Sequence, residues 1–78
     1  LRPMDQPEHP MQPHQQRVVD EKADLDGRIP KLREFINGAS RPTFLQLPHD
    51  EQRRMLRQLD LMRELSDVLG ERIAAFPA

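Results

Sequence analysis

The sequence predicts an all-α protein: an antiparallel two-helix hairpin that assembles into a helical bundle as a homodimer or a higher oligomer. Apolar residues recur at helical spacing in two stretches, residues 14–37 and 48–76, and a short connection separates them. The apolar surface of the second stretch is also wider than one neighbouring helix requires. The first two observations predict the hairpin, and the third predicts its association.

Residues 1–13 are predicted to form a disordered tail. They are rich in proline, which fixes φ and lacks an amide donor. We interpret this segment as a leader or an added stretch ahead of Met11. The alternative is a ligand for an aromatic groove, because prolines recur every three residues from Pro7 to Pro13.

The first helix is predicted over about residues 14–37. Its apolar face has near-heptad spacing, and the aliphatic stem of Lys22 fills one gap in it. The members of this face are Val18, Leu25, Ile29, Leu32 and Ile36. Asn37 and Gly38 end the helix, since both tolerate the left-handed conformation. Gly27 and Pro30 disfavour a helix interior, so we expect a kink near residues 26–30, or else two helices with a break at Arg28.

Residues 38–47 are predicted to form the loop, in which Phe44 and Leu47 belong to one turn that covers the end of the core. The second helix is predicted over about residues 48–76. Pro48 suits the first helical position, and the acidic Asp50 and Glu51 follow in the first turn, where the positive end of the helix dipole favours carboxylates.

The second helix has two apolar rows. The first advances by alternating steps of four and three residues through Met55, Leu59, Met62, Ser66, Leu69, Ile73 and Phe76. The second contains Leu61, Leu65 and Val68. We predict an interface between copies at Met55, Leu59, Met62, Leu65, Leu69 and Ile73, with burial of both rows against the first helix as the alternative. Ser66 interrupts the first row, which indicates a close helix crossing or the wall of a small pocket.

Charges separate along the predicted hairpin although the net charge is only −1. Residues 28–57, at the turn end, hold seven basic and three acidic residues, and the open end holds four basic and eight acidic ones. One interpretation is that two hairpins pair with basic end against acidic end. A second is that Arg53 and Arg57, with Arg28 or Lys31 across the hairpin, bind phosphates. The third is a set of solvated surface charges.

Residue types argue against several function classes. The chain has no cysteine, tryptophan or tyrosine, which excludes a disulfide scaffold and leaves little aromatic surface for stacking bases. His9, His14 and His49 lack metal-ligand spacing, and neither serine lies in a nucleophile elbow. We therefore expect that the protein is not an enzyme and that it binds neither a metal ion nor a cofactor. Without an apolar run long enough to span a membrane or an export signal, we expect a soluble cytoplasmic protein with no membrane partner.

The order of residues across about 14–76 resembles a group of short phage and prophage proteins usually described as hypothetical. The segments that carry the resemblance are QRVVDEKADLD at 16–26 and KLREFI at 31–36, followed by Phe44, Leu47, Glu51, Gln58, Met62, Leu69, Arg72, Ile73 and Phe76. The chain departs from the pattern at Leu65, where tyrosine is common, and at Gly27 and Pro30.

The resemblance implies an oligomeric helical hairpin that acts as an accessory protein inside an infected bacterium. It suggests a non-enzymatic counter-defence protein that sequesters a nucleotide-type immune signal. The alternatives are an inhibitor of a host regulator or motor protein, and nucleic-acid binding through residues 28–57, which is disfavoured. The polar positions of the pattern are Arg17, Glu21, Gln58 and Arg72. They imply an ion pair within the chain or a ligand pocket at the open end.

Overall fold

The computed structural model describes residues 11–77, which form three α-helices. They are α1 (Pro13–Asn37), α2 (Arg41–Gln46) and α3 (His49–Ala74). α1 and α3 pack against each other as an antiparallel hairpin, since Val18 and Leu69 belong to one apolar cluster at the open end and Ile36 and Leu59 to another at the turn end. The all-α class and the long packed helices were thus predicted from the sequence. Residues 1–10 of the predicted tail lie outside the described residues.

α1 begins with Pro13 at its first position, where a missing amide donor has no cost. The backbone amide of Gln12 donates to Oε1 of Gln15 at 2.8 Å, which satisfies the residue ahead of the helix. The helix then continues to Asn37 through both Gly27 and Pro30. The alternative of two helices with a break at Arg28 is therefore wrong. Pro30 lies on the exposed side of α1, where the helix tolerates its ring.

The end of α1 differs from the predicted left-handed stop. Gly38 has a φ of −99°, and no residue of the described chain has a positive φ. A Cβ at this position would collide with the carboxylate of Glu34, so glycine lets this side chain fold over the end of the helix. That carboxylate accepts a hydrogen bond from the backbone amide of Ala39 at 3.0 Å. Arg41 also donates to the backbone oxygen of Ile36 at 3.0 Å, so side chains complete the helix end.

The predicted loop contains the short helix α2. Phe44 of α2 is buried, and its ring meets the ring of Phe35 edge to face with centroids 6.3 Å apart. Six residues are too few to show an apolar period, so the sequence indicated one turn and not a helix. α2 closes the turn end of the hairpin core.

α3 begins one residue later than predicted, because Pro48 is the N-cap and His49 is the first helical residue. Gln52 holds this corner together by donating to the backbone oxygens of Leu45 at 3.1 Å and Leu47 at 2.9 Å. None of the three helices is long and apolar enough to cross a membrane.

The core consists of two apolar clusters along the hairpin. The open-end cluster is built on Val18, Leu25 and Leu69, and the turn-end cluster on Ile36, Phe44 and Leu59. All six side chains are 5% exposed or less. Helical spacing places five of these side chains at the contact between α1 and α3. The sixth, Phe44, reaches the core from α2. The opposite sides of the two long helices are mostly polar, except for one apolar surface described below and for Leu56, which is exposed apart from it.

Candidate functional site

Polar side chains cross the contact between α1 and α3 at one point. Lys22 Nζ donates to Ser66 Oγ at 2.8 Å and lies 2.9 Å from Asp26 Oδ2. Ser66 Oγ in turn donates to Asp26 Oδ1 at 2.5 Å. We call these three residues the polar bridge. Ser66 is only 8% exposed, so its hydroxyl needs these partners, and its position in the first apolar row is explained by a hydrogen-bonded helix crossing.

The polar bridge stabilises the ionised form of Asp26. The hydrogen bond from Ser66, and next the one from Lys22, lower the pKa of Asp26. The stem of Lys22 passes beside Gly70, where a Cβ would lie 3.4 Å from Lys22 Cε. The three side chains are one another's hydrogen-bond partners across the helix contact, so we interpret the bridge as a structural contact.

The four basic residues of the predicted phosphate site differ in whether they form an ion pair within the chain. Arg28 forms an ion pair with Asp24 of its own helix at 3.1 Å, and Arg53 pairs with Asp50 in the first turn of α3. Lys31 and Arg57 have no carboxylate within ion-pair distance among residues 11–77. Arg28 and Arg53 are well exposed, so their pairs are weak and can exchange for another anion.

The ion pair implied at the open end is not formed. Neither Arg17 nor Arg72 has a carboxylate within 4.0 Å among the described residues. Arg72 lies seven residues after Leu65, which places it on the exposed side of α3 rather than opposite α1. The alternative implied by these positions, a ligand pocket at the open end that includes Arg17 and Arg72, stays a prediction.

The six residues predicted to form an interface between copies divide into two groups. Leu59 and Leu69 are buried in the chain's own core, and Met55, Met62 and Ile73 pack against it. Leu65 alone among the six is exposed, at 42%. The first apolar row of α3 is thus occupied by α1, and the surface available to a partner is the second row.

This second row belongs to a longer exposed line that we call the outer stripe. Its members advance by 4, 3, 4, 3 and 4 residues along α3: Arg54, Gln58, Leu61, Leu65, Val68 and Arg72. The three apolar members are 42–53% exposed, and an arginine stands at each end. A row of solvent-exposed leucines at heptad spacing is typical of a surface that binds another helix or an apolar ligand.

The first half of the outer stripe contains an open groove of about 340 Å³. It is lined by Arg54, Arg57, Gln58, Leu61, Met62 and Leu65, all from α3. Arg54 also lies 2.9 Å from Glu51 in an exposed pair. The surface of the groove is almost entirely apolar, so Arg54 and Arg57 line it mainly with their aliphatic stems. Such a surface suits apolar atoms, and an anion would bind only at its arginine rim.

Of the residues that line the groove, sequence reasoning assigned Arg57 to a phosphate site and Met62 and Leu65 to an interface between copies. It did not single out Arg54 or the groove itself. The signal for the groove was present in the second apolar row, whose extension in heptad steps reaches Arg54 and Arg72. Residues 11–77 contain no group of three or more His, Asp or Glu side chains placed to hold a metal ion.

Comparisons with curated proteins and with solved structures returned no match. A family model described as Sequestin matches residues 12–75, which include all three helices.

Proposed function

The chain belongs to the Sequestin family, and from that membership we propose that it is a non-enzymatic binding protein that sequesters a small anionic ligand of the nucleotide type. The family description is consistent with a binding and sequestering role. We further propose that the ligand is an immune signal of a bacterial host and that the protein serves a phage in the cytoplasm of the infected cell. This finer function rests on the resemblance to phage proteins together with the basic surface of α3.

The observation that supports an anionic ligand is the arginine cluster at the start of α3. Arg53, Arg54 and Arg57 lie within five residues, and Arg57 has no ion-pair partner among residues 11–77. The guanidinium group recognises phosphate through paired N–H donors and keeps its charge at all physiological pH values. Because the carboxylate partners of Arg53 and Arg54 are solvent-exposed, a phosphate can replace them at little cost.

Calorimetric titration of the full chain with a panel of cyclic and linear nucleotides tests this proposal. We expect at least one member to bind, and Arg57→Ala to weaken its binding by about tenfold or more, since a charge-assisted hydrogen bond contributes about 1.5–3 kcal/mol. Arg63→Ala is the matched control, because Arg63 is an exposed arginine of α3 outside the cluster and the groove. The Arg63→Ala variant should bind the nucleotide with the same affinity as the unmodified chain.

The same titration separates sequestration from catalysis. After incubation and heat denaturation, chromatography should recover the bound nucleotide unchanged. A chemically altered nucleotide would contradict a non-enzymatic role. Absence of heat across the whole panel would contradict the nucleotide proposal.

A second function, inhibition of a host regulator or motor protein, is favoured by the exposed apolar residues of the outer stripe. In that case Leu61→Ala should abolish the recovery of a host protein by the tagged chain, while Arg57→Ala should affect it little. Nucleotide binding predicts the opposite order of the two variants.

A further inference from the structure

The groove on α3 has the geometry of two consecutive coiled-coil holes. Residues 54, 57, 58 and 61 form one set at positions i, i+3, i+4 and i+7, and residues 58, 61, 62 and 65 form the next. Four residues at this spacing make the hole that receives one side chain of a facing helix. The six lining residues are accounted for by these two overlapping sets. The surface is therefore shaped for another helix.

The charges beside the outer stripe change sign along α3. Arg57, Glu64 and Glu71 follow one another at seven-residue steps on its outer edge. In a parallel pair of identical helices, this charged row would face the apolar, core-facing residues of the other copy. In an antiparallel pair, the charged row of one copy faces the same row of the other copy running in the opposite direction. Arg57 of each copy then lies beside Glu71 of the other. Charge complementarity thus selects a second copy in the antiparallel direction.

We propose that two copies of this chain pair antiparallel through their outer stripes, with Leu61 of each opposite Leu65 of the other. In this register Val68 of the second copy enters the hole around Gln58, and Leu65 of the second copy enters the hole around Leu61. The exposed leucines become buried on both sides. The exposed Glu64 side chains meet at the twofold axis, and their repulsion sets a limit to the affinity.

The same register completes an anion site that one copy holds only in part. Arg54 of each copy comes to lie beside Arg72 of the other, at both ends of the dimer. Like charges in contact disfavour the dimer unless an anion neutralises them. This part rests on the proposed function, since the anion would be the phosphate of the sequestered ligand. The dimer would then carry two equivalent sites, each built from Arg54 of one copy and Arg72 of the other. The exposed Arg57–Glu71 pair beside each site would open to let Arg57 contact the same anion.

Sedimentation analysis of the full chain without ligand tests the interface. Leu65→Glu should raise the dimer dissociation constant by more than about tenfold, because it places a carboxylate in an apolar hole. Leu56→Glu is the matched control, since Leu56 is 45% exposed but lies nine residues away on the opposite side of α3. Circular dichroism checks that both variants keep their helices. A monomer at all concentrations, or dissociation by Leu56→Glu, would overturn the interface.

Charge exchange tests the direction of pairing. Arg57→Glu and Glu71→Arg should each weaken the dimer, and the double variant should regain most of the original affinity. Glu64→Gln should tighten it. Failure of the double variant to recover affinity would overturn the antiparallel register even if the chain is dimeric.

Inorganic pyrophosphate tests the shared arginine site without any nucleotide. At constant ionic strength it should lower the dimer dissociation constant several-fold, and Arg54→Gln or Arg72→Gln should remove this effect. No effect of pyrophosphate would overturn the arginine site and leave the interface in place. Nucleotide binding by a strictly monomeric chain would instead uphold the proposed function and overturn this inference.

Discussion

Ser66 is the residue on which the contact between α1 and α3 depends most specifically. It is a buried hydroxyl in an otherwise apolar row, and it both accepts from Lys22 and donates to Asp26. An apolar residue at this position would bring the row closer to an ordinary heptad. It would also leave the Lys22–Asp26 pair without its third member on the other helix. Ser66 therefore joins the helices through hydrogen bonds where its neighbours join them through packing.

Ser66→Ala should lower the free energy of unfolding by about 1 kcal/mol, which is the usual net contribution of a hydrogen bond. Ser40→Ala is the control, because Ser40 precedes α2 without forming a side-chain cap hydrogen bond. Its effect should stay within about 0.5 kcal/mol. Denaturant unfolding at neutral pH measures both. Equal losses for the two variants would contradict the assigned role of Ser66.

Ionisation of Asp26 should make the stability of the folded protein depend on pH in the acid range. Its folded-state pKa lies below the ordinary value of 3.8, so the ionised form stabilises the folded chain above that pH. This contribution declines as the pH falls from 3.8 through the lower folded-state pKa. Thermal unfolding should show the chain to be more stable than Asp26→Asn at pH 7, with the difference shrinking at acid pH. A difference independent of pH would contradict the linkage.

At the scale of elements, α1 is a helix that contains two unfavourable residues. Gly27 and Pro30 are both exposed. Leu25, just before Gly27, and Ile29, just before Pro30, face α3. The packing of one side therefore maintains a helix that local propensity would weaken. This explains why the alternative of a break at Arg28 does not occur.

Gly27→Ala should stabilise the protein by about 0.5–1 kcal/mol, because a Cβ at this position meets no atom within 4 Å and alanine favours the helix. Gly70→Ala is the comparison in α3. Its Cβ would lie 3.4 Å from Lys22 Cε, an ordinary van der Waals distance, so Gly70→Ala should give a gain of similar size. Denaturant midpoints measure both variants. A loss of stability in Gly70→Ala would contradict this placement of Lys22.

At the scale of the whole molecule, the sequence predicted the two long helices because Val18, Leu25, Leu59 and Leu69 recur at helical intervals and are buried as expected. It did not predict α2, since the burial of Phe44 depends on how the chain turns over Phe35. Periodicity reveals a helix face only where several turns repeat it.

The candidate site was predictable in part for a similar reason. The arginines of α3 could be read from the sequence, but which of them pair with their own helix depends on side-chain geometry at Asp50 and Glu51. The two apolar rows of α3 were also visible. Assigning the first to α1 and the second to the surface required the register of the hairpin, which places Leu59 inside and Leu61 outside.

The two core clusters meet through Ile29, the half-buried residue of the described chain that packs against both. The cooperativity of unfolding therefore depends on a narrow contact. A change that empties the space around Ile29 would allow the open end to fray while the turn end, secured by Phe44, stays folded. The hairpin would then unfold as two units, although it is one domain.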